Sequence, residues 1–132
     1  MSVILAPLQI LDLTGMVHLS RACGPDIGAV MAEVAKGALR LYRVKTDRAA
    51  GTLAIRLEDR PEGRELVVVA AGAYGHGMLT AIEKPIRALA KHWGADTIRA
   101  HTKSAAMARL HRSIGFTNQI RQDGEFISFA GA

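Results

Sequence analysis

Residues Leu66-Val67-Val68-Val69-Ala70-Ala71 form an unbroken apolar run, rich in β-branched side chains and of strand length. A strand with one face in water alternates apolar and polar residues, and this run does not, so both of its faces need cover. The chain is therefore committed to a sheet with helices packed on it, and this run is the central strand. The 132 residues are 49% hydrophobic, which supplies the core of one domain spanning 1–132. With 22% charged residues, the mixture is too balanced for disorder. No stretch approaches the roughly 20 apolar residues of a membrane helix. The apolar start lacks a basic region and runs into Pro7, Gln9 and Asp12, which does not read as a signal peptide. Cys23 is the one cysteine, a small apolar filler by its setting, so no internal disulfide forms. A reducing, cytoplasmic location is the expectation.

Around the central run the pattern divides into elements. Residues 2–5 read as a short strand. Asp12 or Thr14 caps a helix carrying Met16, Val17 and Leu19, and Gly24-Pro25 stops it. A second helix from about Asp26 repeats Ile27, Val30, Met31 and Val34 at helical spacing, up to Gly37. Residues 39–44 and 52–57 alternate as half-buried strands, with turns at 47–51 and 60–63. After the central run, a Gly-rich bend at 72–77 leads into a helix. Its stripe is Met78, Leu79, Ile82, Ile86, Leu89, Ala90 and Trp93; Pro85 lies inside and Gly94 ends it. Residues 97–100 are a short strand. Thr102 or Ser104 caps a last helix with Met107, Leu110 and Ile114 on one face and Gly115 as its stop. Residues 116–121 and 125–129 close the chain as a hairpin about Asp123-Gly124. The helix between the central strand and the next one implies that those two run parallel.

The bend carries the chemistry. Gly75-His76-Gly77 lies between a central strand and a helix start. Glycines let backbone amides approach a ligand, and the helix N-terminus adds unpaired N–H groups and a positive dipole end. In physical terms this is a pyrophosphate cradle, although a strand-to-helix bend of this kind is often only a tight turn. The spacing is G-x-x-G-x-G rather than the dinucleotide G-x-G-x-x-G, which argues against NAD. Between residues 75 and 121 there are eight basic residues against Glu83 and Asp96, a surplus above the whole chain's +5. An anionic partner is expected there, either a phosphate-bearing cofactor or nucleic acid.

Met107-Ala108-Arg109-Leu110-His111-Arg112-Ser113-Ile114-Gly115-Phe116 resembles the A-x-x-L-Y-x-K-x-G-F segment of the GNAT superfamily of N-acetyltransferases. Residues 72–101 resemble that family's R/Q-x-x-G-x-G/A motif with its helix and next strand. The resemblance implies an α/β (α+β) fold: a mixed, mostly antiparallel twisted sheet of six to seven strands flanked by about four helices. It implies acetyl-CoA as co-substrate and direct transfer of the acetyl group to an amine in a ternary complex. Backbone groups around Val67, Val69 and Ala71 would hold pantetheine, and Gly75, His76, Gly77 and Met78 the pyrophosphate. Ser104 stands where the family has Asn, Gly72 where it has Arg or Gln, His111 where it has the Tyr that protonates the thiolate, and Ser113 where it has Lys. His111 is the candidate acid. Glu65 is a base candidate, or else a solvated acid at the strand end.

Two other functions compete. One is a binding or structural protein on the same scaffold, motivated by the replacements at 72, 104, 111 and 113. The other is a basic nucleic-acid module, the weakest of the three, since only Tyr74, Trp93 and Phe116 offer stacking rings in that half. The histidines show no metal-ligand spacing. The last hairpin offers an edge for a homodimer.

Overall fold

The computed structural model describes residues 4–10, 12–75 and 77–131. Seven strands lie in one sheet in the order β1-β2-β3-β4-β5-β7-β6. In chain order they are β1 (Ile4–Leu8), β2 (Arg40–Lys45), β3 (Ala49–Arg60), β4 (Gly63–Gly75), β5 (Thr97–Thr102), β6 (Asn118–Gln122) and β7 (Glu125–Gly131). The helices are α1 (Leu13–Cys23), α2 (Ile27–Ala35), α3 (Met78–His92) and α4 (Ala105–Ser113), with a single 3-10 turn, Gly24–Asp26, between α1 and α2. β4 and β5 are parallel, as the intervening helix demands. The β1–β2, β2–β3, β5–β7 and β6–β7 pairs are antiparallel. Of the expected first strand, Ile4 and Leu5 belong to β1, which runs on to Leu8; Ser2 and Val3 lie outside the described residues.

The chain divides into two compact units, 1–56 with 69–82, and 57–68 with 83–132. In the first, Leu19, Val30, Leu39, Leu41, Ala54 and Ala70 form a buried cluster, and Ile27, Val34, Val69 and Cys23 pack against it. Asp12 caps α1 by accepting from the Gly15 amide at 2.7 Å and also takes the Arg43 guanidinium. α1 buries Gly15, His18 and Leu19, which recur at helical spacing, and leaves Val17 45% exposed. The expected stripe through Val17 is thus rotated, because an imidazole fills a core position.

In the second unit, Leu66, Ile98, Ala100, Ser128 and Ala130 are buried along the β4–β5–β7 ladders. Ile86, Leu89 and Ala90 bury one side of α3. Ser104 caps α4 by accepting from the Met107 amide at 3.1 Å. The expected face of α4 is corrected: Met107 and Leu110 are exposed, and Ala108, His111 and Ile114 are buried. The reason is a polar pin. The Gln119 carboxamide donates to the Ala108 carbonyl at 2.6 Å and to the Ser128 hydroxyl at 2.9 Å, which turns that side of the helix inward. Gly115, with φ 102°, ends the helix in the left-handed region. Asp123 and Gly124 have φ of 52° and 78°, both positive, as a type I′ hairpin turn requires.

Candidate active site

β4 is longer than its apolar run. Its parallel ladder with β5 matches Glu65 with Thr97, Leu66 with Ile98, Val67 with Arg99 and Val68 with Ala100, and the strand then continues to Gly75. Val67 therefore lies inside the ladder. Val69 and Ala71 lie past its last pair, Val69 half-buried and Ala71 exposed. The bend that the sequence places at 72–77 is strand up to Gly75. Gly77, with φ 76°, makes the turn into α3. His76 lies outside the described residues.

The start of α3 is open. Among the described residues, nothing comes within 4 Å of a Cβ built on Gly77, and no acidic residue stands in the first turn. The first intrahelical bond runs from the Ala81 amide to the Gly77 carbonyl at 3.0 Å, so helix geometry leaves the amides of Met78 to Thr80 without an intrahelical acceptor. These donors, the positive dipole end and the missing carboxylate make a place where an anion is stabilised.

Gly72 explains one of the replacements. A Cβ there would sit 1.9 Å from the His18 carbonyl oxygen and 2.6 Å from its carbon. The backbone of α1 occupies the space that any side chain at 72 would need. A Cβ on Gly51, on β3, would likewise meet the Gly72 carbonyl at 2.8 Å and the Ala73 Cβ at 2.9 Å. The close backbone of α1 thus requires glycine at 72, and the Gly72–Ala73 segment in turn requires glycine at 51.

His18 belongs to this part of the molecule, and the sequence reading passed over it. It is 3% exposed, and its Nδ1 lies 2.8 Å from the hydroxyl of Thr52, itself 2% exposed. Thr52 stands directly across from Arg43 in the β2–β3 ladder. Burial pushes the His18 pKa below the ordinary histidine value, and the nearby Arg43 charge adds to this. The usable signal was its spacing: His18 falls one helical turn from Gly15 and next to Leu19, on the buried side.

The remaining candidates lie in the second unit. His111 is 9% exposed, its ring 5.8 Å from that of Phe116. Its Nδ1 is buried and has no hydrogen-bond partner among the described residues. Desolvation lowers its pKa, which keeps the imidazole neutral at pH 7. Ser104 is exposed and spends its hydroxyl on the α4 cap. Ser113 is also exposed, its hydroxyl donating to the Leu110 carbonyl at 2.6 Å.

Glu65 is neither solvated nor alone. It is 6% exposed, with Oε1 3.3 Å from both Arg60 and Arg99, while the Thr97 hydroxyl donates to Oε2 at 3.1 Å. Arg99 also holds Glu58 at 2.7 Å. Two guanidinium groups and a hydroxyl therefore surround the carboxylate at the N-terminal ends of β4 and β5. Ligands of parallel strands gather at the opposite, carboxyl ends.

Cys23 is half-buried and its thiol pKa is raised by burial, the behaviour of a packing residue. Among the described residues, no group of three or more His, Cys, Asp and Glu side chains is placed to hold a metal ion. No helix of the described residues is long and apolar enough to cross a membrane.

No family model and no curated protein sequence matches the chain. Solved structures do. The Campylobacter jejuni N-acetyltransferase PseH, in complex with acetyl coenzyme A, aligns with a TM-score of 0.61 at 10% identity, over 98% of this chain and 99% of that one. The AtaT toxin, bound to the C-terminus of the antitoxin AtaR and to acetyl-CoA, aligns with a TM-score of 0.59 at 14% identity, over 98% and 92%. At such identities the likeness concerns the fold: the chain has the mixed α/β architecture of the GNAT N-acetyltransferases, with its seven-stranded sheet and flanking helices.

Proposed function

We propose that this protein binds acetyl-CoA along the second half of β4 and at the start of α3, and transfers the acetyl group to an amine. The observation that carries the reading is the continuation of β4 past its last β5 pair to Gly75, followed by the carboxylate-free turn at Gly77 and Met78. Extended backbone at Val69 and Ala71 suits the amide groups of pantetheine. The amides of Gly77, Met78 and the next residues suit the pyrophosphate. Two solved structures of this fold that hold acetyl-CoA support the same ligand here.

The thioester supplies an electrophilic carbonyl carbon. The amine nitrogen bonds to it, the carbon–sulfur bond breaks, the amine sheds a proton and the departing sulfur takes one up. His111 is the residue we assign to that last proton. Its neutral ring takes up, through its lone-pair nitrogen, the proton that the amine sheds, and as imidazolium hands that proton to the sulfur; among the described residues nothing hydrogen-bonds its Nδ1. Ser104 is assigned to the cofactor side as well, beyond its work as a cap.

A thermal shift with acetyl-CoA tests the first claim. Ligand at a hundredfold excess over Kd should stabilise the protein by about 2.7 kcal/mol. No shift at millimolar acetyl-CoA removes the reading. A second reading, a binding protein that performs no transfer, draws on the burial of His111 and on the cap made by Ser104. It expects the same thermal shift but no release of coenzyme A across a panel of small amines, polyamines and peptide N-termini.

A further inference from the structure

The sheet has two edges, and they are built differently. β1, at one end, carries Pro7, which has no N–H to offer a further strand. β6, at the other end, is Asn118-Gln119-Ile120-Arg121-Gln122, with neither proline nor glycine. Its one charge is drawn aside: the Arg121 guanidinium lies over the Phe126 ring, 5.1 Å from its centre. Ile120 is 51% exposed in the middle of the strand. The usual devices that keep an edge from pairing are thus present at β1 and missing at β6.

We propose that β6 pairs antiparallel with β6 of a second copy of this chain, about a two-fold axis through Ile120. The hairpin fixes which backbone groups are available. Its two-residue turn makes Gln122 and Glu125 the hydrogen-bonded pair, and alternation makes Ile120–Ile127 and Asn118–Phe129 hydrogen-bonded as well. The N–H and C=O groups of Gln119 and Arg121 therefore point away from β7, toward the open edge.

Three two-fold registers bring outward groups together. Centring on Arg121 sets two guanidinium groups against each other, which repels. Centring on Gln119 pairs Arg121 with Thr117, which precedes the strand. Centring on Ile120 pairs each Gln119 with the other copy's Arg121 and opposes no like charges. All four outward groups on each strand then have partners. Ile120 meets its own copy in a non-hydrogen-bonded pair, where side chains come closest. Since Ile120 already faces Ile127 across the β6–β7 ladder, the pairing extends an isoleucine row across the axis. The contact is small, so the dimer is weak and reversible.

Disulfide trapping tests the register. Opposed Cα atoms in a non-hydrogen-bonded pair stand about 4.5 Å apart, inside the roughly 4.4–6.8 Å that a disulfide spans. In a Cys23→Ser background, Ile120→Cys should give a linked dimer on mild oxidation. Asn118→Cys, which opposes Gln122 of the other copy, should not. Equal trapping at both positions overturns the register. Sedimentation tests the interface itself. Ile120→Lys, which sets like charges face to face, should weaken self-association at least about tenfold. Arg121→Pro deletes one outward N–H and leaves the β7 ladder its bonds, so it should do the same with the circular dichroism spectrum unchanged. Wild-type protein that sediments as a monomer at every concentration overturns the proposal, as does a dimer that neither variant weakens.

Discussion

Two helices of this molecule each bury a histidine, and they do so in different ways. On α1, His18 meets the Thr52 hydroxyl, and its own carbonyl seats against Gly72. On α4, His111 packs beside Phe116, and its Nδ1 has no hydrogen-bond partner among the described residues. Both imidazoles are pushed toward the neutral form by burial. A buried polar atom with a partner contributes to stability, and one without a partner costs stability unless it serves another purpose. The contrast fits His18 to the scaffold, and it is the reason the proposed function gives the proton-handling role to His111 rather than to His18.

The largest effect should come from Gly72→Ala, which forces the turn of α1 around His18 away from β4. We expect a loss of about 3 kcal/mol, read as a fall in denaturation midpoint. His18→Ala comes next. It leaves a cavity and an unpartnered Thr52, for about 2–3 kcal/mol. His111→Phe should leave the midpoint within about 0.5 kcal/mol, because it deletes an orphan polar atom from an apolar setting. Its cost should fall on turnover, by roughly a hundredfold, with acetyl-CoA affinity retained. If His111→Phe destabilises the fold as much as His18→Ala does, the contrast collapses.

Acid should expose both histidines. The unfolded chain binds protons at its imidazoles near the ordinary histidine value of 6.5, and the folded chain resists protonation at positions 18 and 111. Their contribution is therefore complete above about pH 6.5 and drains as the pH falls from there toward the depressed folded values. His111→Phe should flatten part of that slope in denaturant titrations, and Cys23→Ser should leave it unchanged. Ser104→Ala should cost about 1 kcal/mol of stability for a lost helix cap. A larger loss of acetyl-CoA binding than of stability in that variant would separate its ligand role from its cap.

Much of the fold was legible because its determinants are local. The β2 alternation, the Asp12 and Ser104 caps, the apolar run of β4 and the Asp123-Gly124 turn each act within a few residues. What escaped has partners far away in the chain. His18 reads as polar until Thr52, 34 positions on, gives it a place. Glu65 reads as a solvated strand end until Arg60, Arg99 and Thr97 converge on it. The rotation of α4 is set by Gln119, which lies beyond the helix it turns. The Gly-rich segment was legible as a pattern, but the extent of β4 was not, because Gly72 looks like part of a bend until the close His18 backbone requires glycine there and the strand runs on to Gly75.

The contact between Gly72 and His18 also bears on how such a sequence can change. Placing an arginine or glutamine at 72 takes more than a single substitution in this chain, since α1 already fills the volume that side chain would take. The helix would have to be re-seated first, through its own residues and those beneath it, before a longer side chain could be tolerated. Lineages that share this packing of α1 should keep glycine at that position whatever their substrate.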